Sequence, residues 1–163
     1  LWPSQFDLAA RMSVTTPWAV RTALTTRIGA LTPDSSYRQD TQDAWRESKT
    51  PLVPELMPEV TANLAFFVDD RDFRSVSSRQ NSANYRSDSP VVVRFLYRLR
   101  ATDRINDWDR AAKAAIALLS HLAQYQNEDF DLYFGESTVT RQILATDCLA
   151  VSLRFNAVYY LSV

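Results

Sequence analysis

The sequence predicts an α+β domain, with a mostly antiparallel sheet, helices packed on one face and a long polar arm between two strands. Three observations carry this. Two stretches, "VVVRFLYRLR" at 91–100 and "CLAVSLRFNAVYYLSV" at 148–163, alternate apolar and polar residues with the period of a half-buried strand. A third, "NDWDRAAKAAIALLSHLAQYQ", repeats its apolar residues with the period of a helix. The elements then run in the order helix, long loop, strand, arm, strand, helix, strands.

The first residues, "SQFDLAARM", offer Ser4 with Asp7 three positions on, a loose capping pair for a short helix. A clearer helix follows in "TTPWAVRTALTTRIGAL". Thr16 is placed to cap it, Pro17 suits its first turn, and Val20, Leu24, Ile28 and Leu31 form one stripe. Gly29 is expected near its end. Residues 32–61 read as irregular, with a short helical piece at 42–47 and a Trp45 that needs burial. "ANLAFFVDD" predicts a strand with Leu64, Phe66 and Val68 on one face.

Residues 71–89, rich in Ser, Asn and Arg, are expected to be a mobile arm. Pro90 leads into the next strand, where Val91, Val93, Phe95, Tyr97 and Leu99 share a core face. Val92, Arg94, Leu96, Arg98 and Arg100 share the other face. In the long helix, Asn106 or Asp107 is the expected cap, and Trp108, Ala111, Ala112, Ala115, Ile116, Leu119, Leu122 and Ala123 the expected buried face. "DFDLYFGES" reads as a short strand ending at Gly135, and "VTRQILATDC" as another. In the closing strand Leu149, Val151, Leu153, Phe155, Ala157, Tyr159, Leu161 and Val163 share the core face.

Composition bounds the function. A chain of 163 residues, 46% hydrophobic and 23% charged, suits a single domain over 1–163, with 1–16 as an N-terminal extension. A net charge of -1 gives no overall attraction to nucleic acid or anionic lipid. The two glycines, Gly29 and Gly135, cannot build a glycine-rich phosphate loop. One cysteine, Cys148, allows no internal disulfide and no cysteine zinc cluster. No apolar run reaches the ~18 residues of a membrane helix, and no signal-peptide pattern is read at the start, so no membrane partner is expected.

Little in the sequence points to catalysis. His121 is the only histidine and lacks a glycine-framed serine partner. Asp69, Asp70 and Asp72 read as a solvated strand end rather than an ion site. Pro33–Asp34 followed by Glu47-Ser48-Lys49 spells a metal-nuclease pattern, with Asp34, Glu47 and Lys49 in the catalytic positions. Both halves lie in a polar, proline-bounded segment rather than on adjoining strands, so the expectation is a non-enzyme with no cofactor and no metal. The arginines remain. Arg71, Arg74, Arg79, Arg86, Arg94, Arg98, Arg100 and Arg104, interleaved with Phe73, Tyr85 and Tyr97, suit either a nucleic-acid-binding module or a protein interface. Near-zero net charge favours the interface, and Asp40, Asp43, Glu47, Glu55 and Glu59 are candidate partners on a neighbouring copy.

The order "AVRTALTTRIGAL", "ANLAFFVDD", a polar arm, "SPVVVRFLYRLR", "DWDRAAKAAIALLSHL" and "TRQILATDCLAVSLRFNAVYYLSV" resembles the lambda-like, ring-forming tail terminator proteins of long-tailed bacteriophages. The likeness covers most of 17–163 and is one of element order and texture. It implies a structural virion protein, assembled in the host cytoplasm. Such proteins form a ring, usually a hexamer, that caps the tail tube, stops its growth and offers a surface to the head-tail connector. Related neck and tail-completion proteins share the texture. The resemblance implies self-association, contact with tail tube protein and neck proteins, and DNA passing through the lumen without sequence-specific binding. On this reading Arg94, Arg98, Arg100 and Arg154 meet the next subunit or line the lumen. Phe73, Arg74, Arg79, Tyr85 and Arg86 supply arm contacts that become ordered on assembly. The alternative for the arginine face is an ordinary solvated strand surface.

Overall fold

The computed structural model describes residues 14–52, 62–70, 75–78, 84–145 and 147–162. The short helix expected in "SQFDLAARM", and Asp72, Phe73, Arg74 and Arg79, lie outside the described residues.

The described elements are α1 (Pro17–Gly29), β1 (Arg46–Glu47), β2 (Ala65–Asp69), β3 (Ser75–Ser78), β4 (Asn84–Arg98), α2 (Arg104–Ala123), β5 (Phe130–Ala145) and β6 (Cys148–Ser162). They form the predicted α+β fold. The sheet runs β1-β2-β4-β6-β5, with β3 also paired to β4; among the described strand pairs only β1–β2 is parallel, and Val14 adds an isolated parallel bridge to Tyr160. Both helices cover one face, where their apolar stripes and alternate strand residues build one core.

α1 starts as its sequence dictates. Thr16 Oγ1 accepts the Ala19 N–H at 3.1 Å, Pro17 occupies the first turn, and Val20, Leu24 and Ile28 are buried. Just before it, the Thr15 N–H donates to the Tyr160 carbonyl at 2.9 Å and ties this part of the N-terminal extension to β6. The two helices are tied side by side at their ends. His121 Nε2–H donates to the Arg27 carbonyl at 2.7 Å, and Arg27 Nη2 donates to the His121 carbonyl at 3.1 Å. The only histidine is therefore a satisfied structural residue.

The short helix expected at 42–47 is absent. The Asp43 carboxylate instead accepts the N–H groups of Gln39 and Asp40 and the Asn63 side-chain amide, folding the segment into a turn. The chain then runs alongside β2 as β1, and the Ser48 N–H reaches the Phe66 carbonyl at 2.7 Å. Trp45 is buried as expected, stacked edge-on against Phe95 with ring centroids 5.0 Å apart. Its indole N–H donates to the Tyr37 hydroxyl.

β4 begins at Asn84 rather than after Pro90, so 84–89 belong to the sheet. They pair with the end of β6, and β3 pairs with them on the other side. Pro90 is tolerated mid-strand because it falls between the two partners on that edge: β3 reaches Ser87 and β2 reaches Val92. Val91, Val93, Phe95, Tyr97 and Leu99 are all buried on the core face, as the alternation predicts.

α2 corrects two expectations. It starts at Arg104, with Asp103 in the cap position, so neither Asn106 nor Asp107 caps it. Its buried residues are Asp107, Ala111, Ala114, Ala115, Leu118 and Leu122, while Ile116 and Ala123 are exposed. The expected face therefore holds at Ala111, Ala115 and Leu122 and is half-buried at Trp108, Ala112 and Leu119; the small alanines let the helix lie close to the sheet and leave Ile116 outward. β5 is one strand rather than two. A register shift between Tyr133 and Thr138 absorbs the Gly135 region without ending it.

Candidate interaction surface

The face of the sheet away from the helices is where the sequence places its arginines. It is not uniformly polar. Leu96 and Ala150 are buried there under Leu52, with Phe67 and Cys148 packed alongside. Cys148 is thus a packing residue, and burial pushes its thiol pKa up.

The four arginines separate into two kinds. Arg94 is half-buried, and its Nη1 donates to Asp69 Oδ2 at 2.8 Å. The registers Phe67↔Arg94 and Asp69↔Val92 make the two diagonal neighbours on adjoining strands, so this pair ties β2 to β4. Arg100 lies beyond the end of β4, not on its face, which corrects the parity reading. Its Nε and backbone N–H donate to Asp107 Oδ2 at 3.1 and 2.8 Å, and its Nη2 to Asp107 Oδ1 at 2.8 Å. Nη2 also reaches Asp103 at 3.2 Å. Arg110 Nη1 joins both carboxylates, at 2.7 Å to Asp103 and 2.9 Å to Asp107.

Asp107 is fully buried at the centre of this cluster. Burial alone would raise its pKa. The hydrogen bonds from Arg100 and Arg110 more than reverse that and hold the carboxyl at about 2. Hydrogen bonds from Arg110 and Asn106 hold Asp103 below its ordinary value as well. The cluster fastens the end of β4 to the start of α2.

Arg98 and Arg154 are of the second kind. Both are exposed on the sheet face, and neither has a carboxylate partner among the described residues. Arg98 also lines an open cleft of about 430 Å³ with Arg46, Asp40, Asp43, Gln42 and Asn63. The cleft forms where the 39–46 turn, the approach to β2 and the end of β4 converge. Its frame is held by the Asn63 side-chain oxygen, which accepts the Arg98 N–H at 3.0 Å, and by Gln39 Nε2, which donates to the Arg98 carbonyl at 2.6 Å. Sequence reasoning did not find this cleft, because its walls come from three separated segments.

Of the arm residues, Tyr85 is half-buried and Arg86 exposed, both in β4 opposite β3 and β6. In the nuclease pattern, Asp34 Oδ1 accepts the Ser36 N–H at 2.7 Å and so shapes a turn. That bond holds its pKa below the usual value. Glu47 faces Arg21 at 3.5 Å on β1, and Lys49 is exposed. Asp69 is engaged with Arg94, and burial raises the Asp70 carboxyl. Among the described residues no three His, Cys, Asp or Glu side chains gather closely enough to hold a metal ion. No helix among them is long and apolar enough to cross a membrane. No protein-family model matches the chain, and no curated protein does.

Proposed function

We propose that the protein is a tail terminator of a long-tailed bacteriophage, a structural virion protein whose copies form a hexameric ring. The ring caps the tail tube, stops its elongation and presents its other side to the head-tail connector. One observation carries the reading. Apart from the two-residue β1 and the short β3 in the stretch expected as a polar arm, the described elements follow the order of the resemblance: a helix, a strand, a long central strand, a second helix and two long closing strands. That order leaves one sheet face covered by helices and the other carrying exposed Arg98 and Arg154. Two solvated guanidinium groups on one face suit either the carboxylates of a neighbour or the phosphates of passing DNA. Neither role requires sequence recognition.

Termination on this reading is steric. A ring that docks on the last tube layer covers the surface on which the next layer would add, without any chemical step. The test is to mix the purified protein with polymerising tail tube protein and image the products. Capped tubes of arrested length, with rings at one end, are expected. Tubes that grow unchanged would overturn the reading, and, in a parallel mixture with head connector protein, rings that bind the connector but not the tube would move the protein to the neck.

A further inference from the structure

We infer that the flank formed by the outer stripe of α2 and the edge of β5 that no other described strand pairs is the seat on which a second copy of this chain packs. The inference rests on the ring-forming reading above and names the surface that would build the ring. Ile105 is 81% exposed and Ile116 66% on α2, and Val139 is 47% and Ile143 50% exposed on β5. They share one side of the molecule. Val139, Arg141 and Ile143 stand opposite Leu153, Val151 and Leu149, which are buried on the helix-covered face, so the three point toward the helix layer. The Arg141 guanidinium lies over the Trp108 ring at 5.3 Å and joins strand to helix. Along α2, Ile105, Trp108, Ala112, Ile116 and Leu119 follow one another at steps of three and four, a second apolar stripe beside the buried one.

Area and edge chemistry argue for the occupant. The four exposed side chains present on the order of 400 Å², the size of the largest apolar patch on a typical monomer, which is often a functional surface. Residues 138–143 add a strand edge about 20 Å long. The side chains alone supply about half of the ~800 Å² per partner of a stable interface, and the strand edge and its polar flank would supply the remainder. Among the described residues β5 pairs only with β6. The edge over 138–143 carries Thr, Val, Thr, Arg, Gln and Ile with no proline; register shifts bound it on both sides and Arg141 is its one charge, so the regular pairing surface is limited to these six residues. Another copy is the one partner always present with each such edge.

The contact is head-to-tail. Pairing β5 with its own copy about Arg141 would set like charges opposite one another. The opposite edge of the sheet instead offers the two-residue β1 beside α1, where Trp18 is 70% exposed. Such a heterologous contact closes a ring when its rotation divides the circle.

The test compares the full chain with the double variant Ile116→Glu, Ile143→Glu by light scattering across a concentration series. Both positions are exposed, so circular dichroism and melting should not change. The wild type is expected to assemble, and the variant to need at least tenfold higher concentration. A folded variant that assembles like the wild type overturns this surface and leaves the ring reading standing. A wild type that stays monomeric, with and without tube protein, overturns both. Should the variant misfold, hydrogen exchange on the wild type decides. Amides of 138–143 that point away from β6 should slow at least tenfold on assembly, and unchanged exchange there overturns the inference.

Discussion

Replacing Asp107 by Asn tests whether the junction between β4 and α2 is held as its geometry implies. The wild-type carboxylate takes four N–H bonds, three from Arg100 and one from Arg110, while fully buried. An amide keeps the shape, removes the charge and turns one acceptor into a donor that faces other donors. Two contributions add. A carboxyl moved from 3.8 to about 2 is worth about 2 kcal/mol of stability at neutral pH. A buried donor left facing donors costs about 1–3 kcal/mol more. Asp103 still holds both arginines and recovers part of this, so the expected loss is about 3 kcal/mol, within the range for a broken buried pair. Urea melts at pH 7 should show that loss with an unchanged m-value.

The pH dependence follows from the sign of the shift. The folded pKa is depressed, so the stabilisation is complete above about 4 and disappears as pH falls through about 2. The gap between wild type and variant should therefore shrink by about half or more between pH 5 and pH 2. The titration of Asp103 is common to both proteins and largely cancels in that difference. A gap under about 0.5 kcal/mol at pH 7, or one that persists unchanged at pH 2, would refute the reasoning.

Three further outcomes follow. Phe95→Ala empties a fully buried site against Trp45 and should cost about 3–5 kcal/mol in a urea melt, against little effect if the ring were peripheral. Arg98→Glu with Arg154→Glu should stay within about 0.5 kcal/mol of the wild type, because both are exposed, yet lose ring assembly or tube arrest; Arg94→Glu should destabilise by about 1–3 kcal/mol through Asp69, and a reversed ranking would show the two kinds of arginine to be misassigned. Cys148 should alkylate at least tenfold more slowly than a free thiol at pH 7, because burial both shields it and raises its pKa; rapid labelling would show that its cover opens.

What the sequence made legible was local. A period of two places Val91 to Leu99 and Leu149 to Tyr159 on the core face, because a one-residue slip would expose the whole set. Thr16 and Pro17 mark the start of α1, because a cap is satisfied within one turn. What stayed hidden depends on distant partners. β1 is two residues long and exists through its pairing with β2, so it has no pattern of its own. Arg100 continues the parity of β4, but the strand has ended and Asp107 captures the side chain instead. Asp107 itself read as a helix cap, since an acid in a first turn suits both roles. The cleft beside Arg98 needed the 39–46 turn and Asn63 brought together, which no spacing announces.

The buried face of α2 agrees with the sequence at Ala111, Ala115 and Leu122 and departs from it at Ile116 and Ala123. Two stripes on this helix satisfy helical spacing, one through Ala111, Ala115, Leu118 and Leu122 and one through Trp108, Ala112, Ile116 and Leu119. Periodicity does not choose between them, and the expected face takes Ala111, Ala115 and Leu122 from the first together with all of the second. The sheet selects the first, because alanine side chains allow a closer approach and Ala111, Ala114, Leu118 and Leu122 are then wholly buried. The second stripe is left half-covered, with Ile116 in solvent and Trp108 shielded by Arg141. A lone exposed isoleucine on a helix means little. This stripe keeps its period for four turns, packs partly on the core at Trp108 and Leu119, and leaves Ile105 and Ile116 as the part that the inferred contact with a second copy would cover. Within one copy Ile105 and Ile116 stay exposed, so the Ile116→Glu, Ile143→Glu variant is the direct test of that contact.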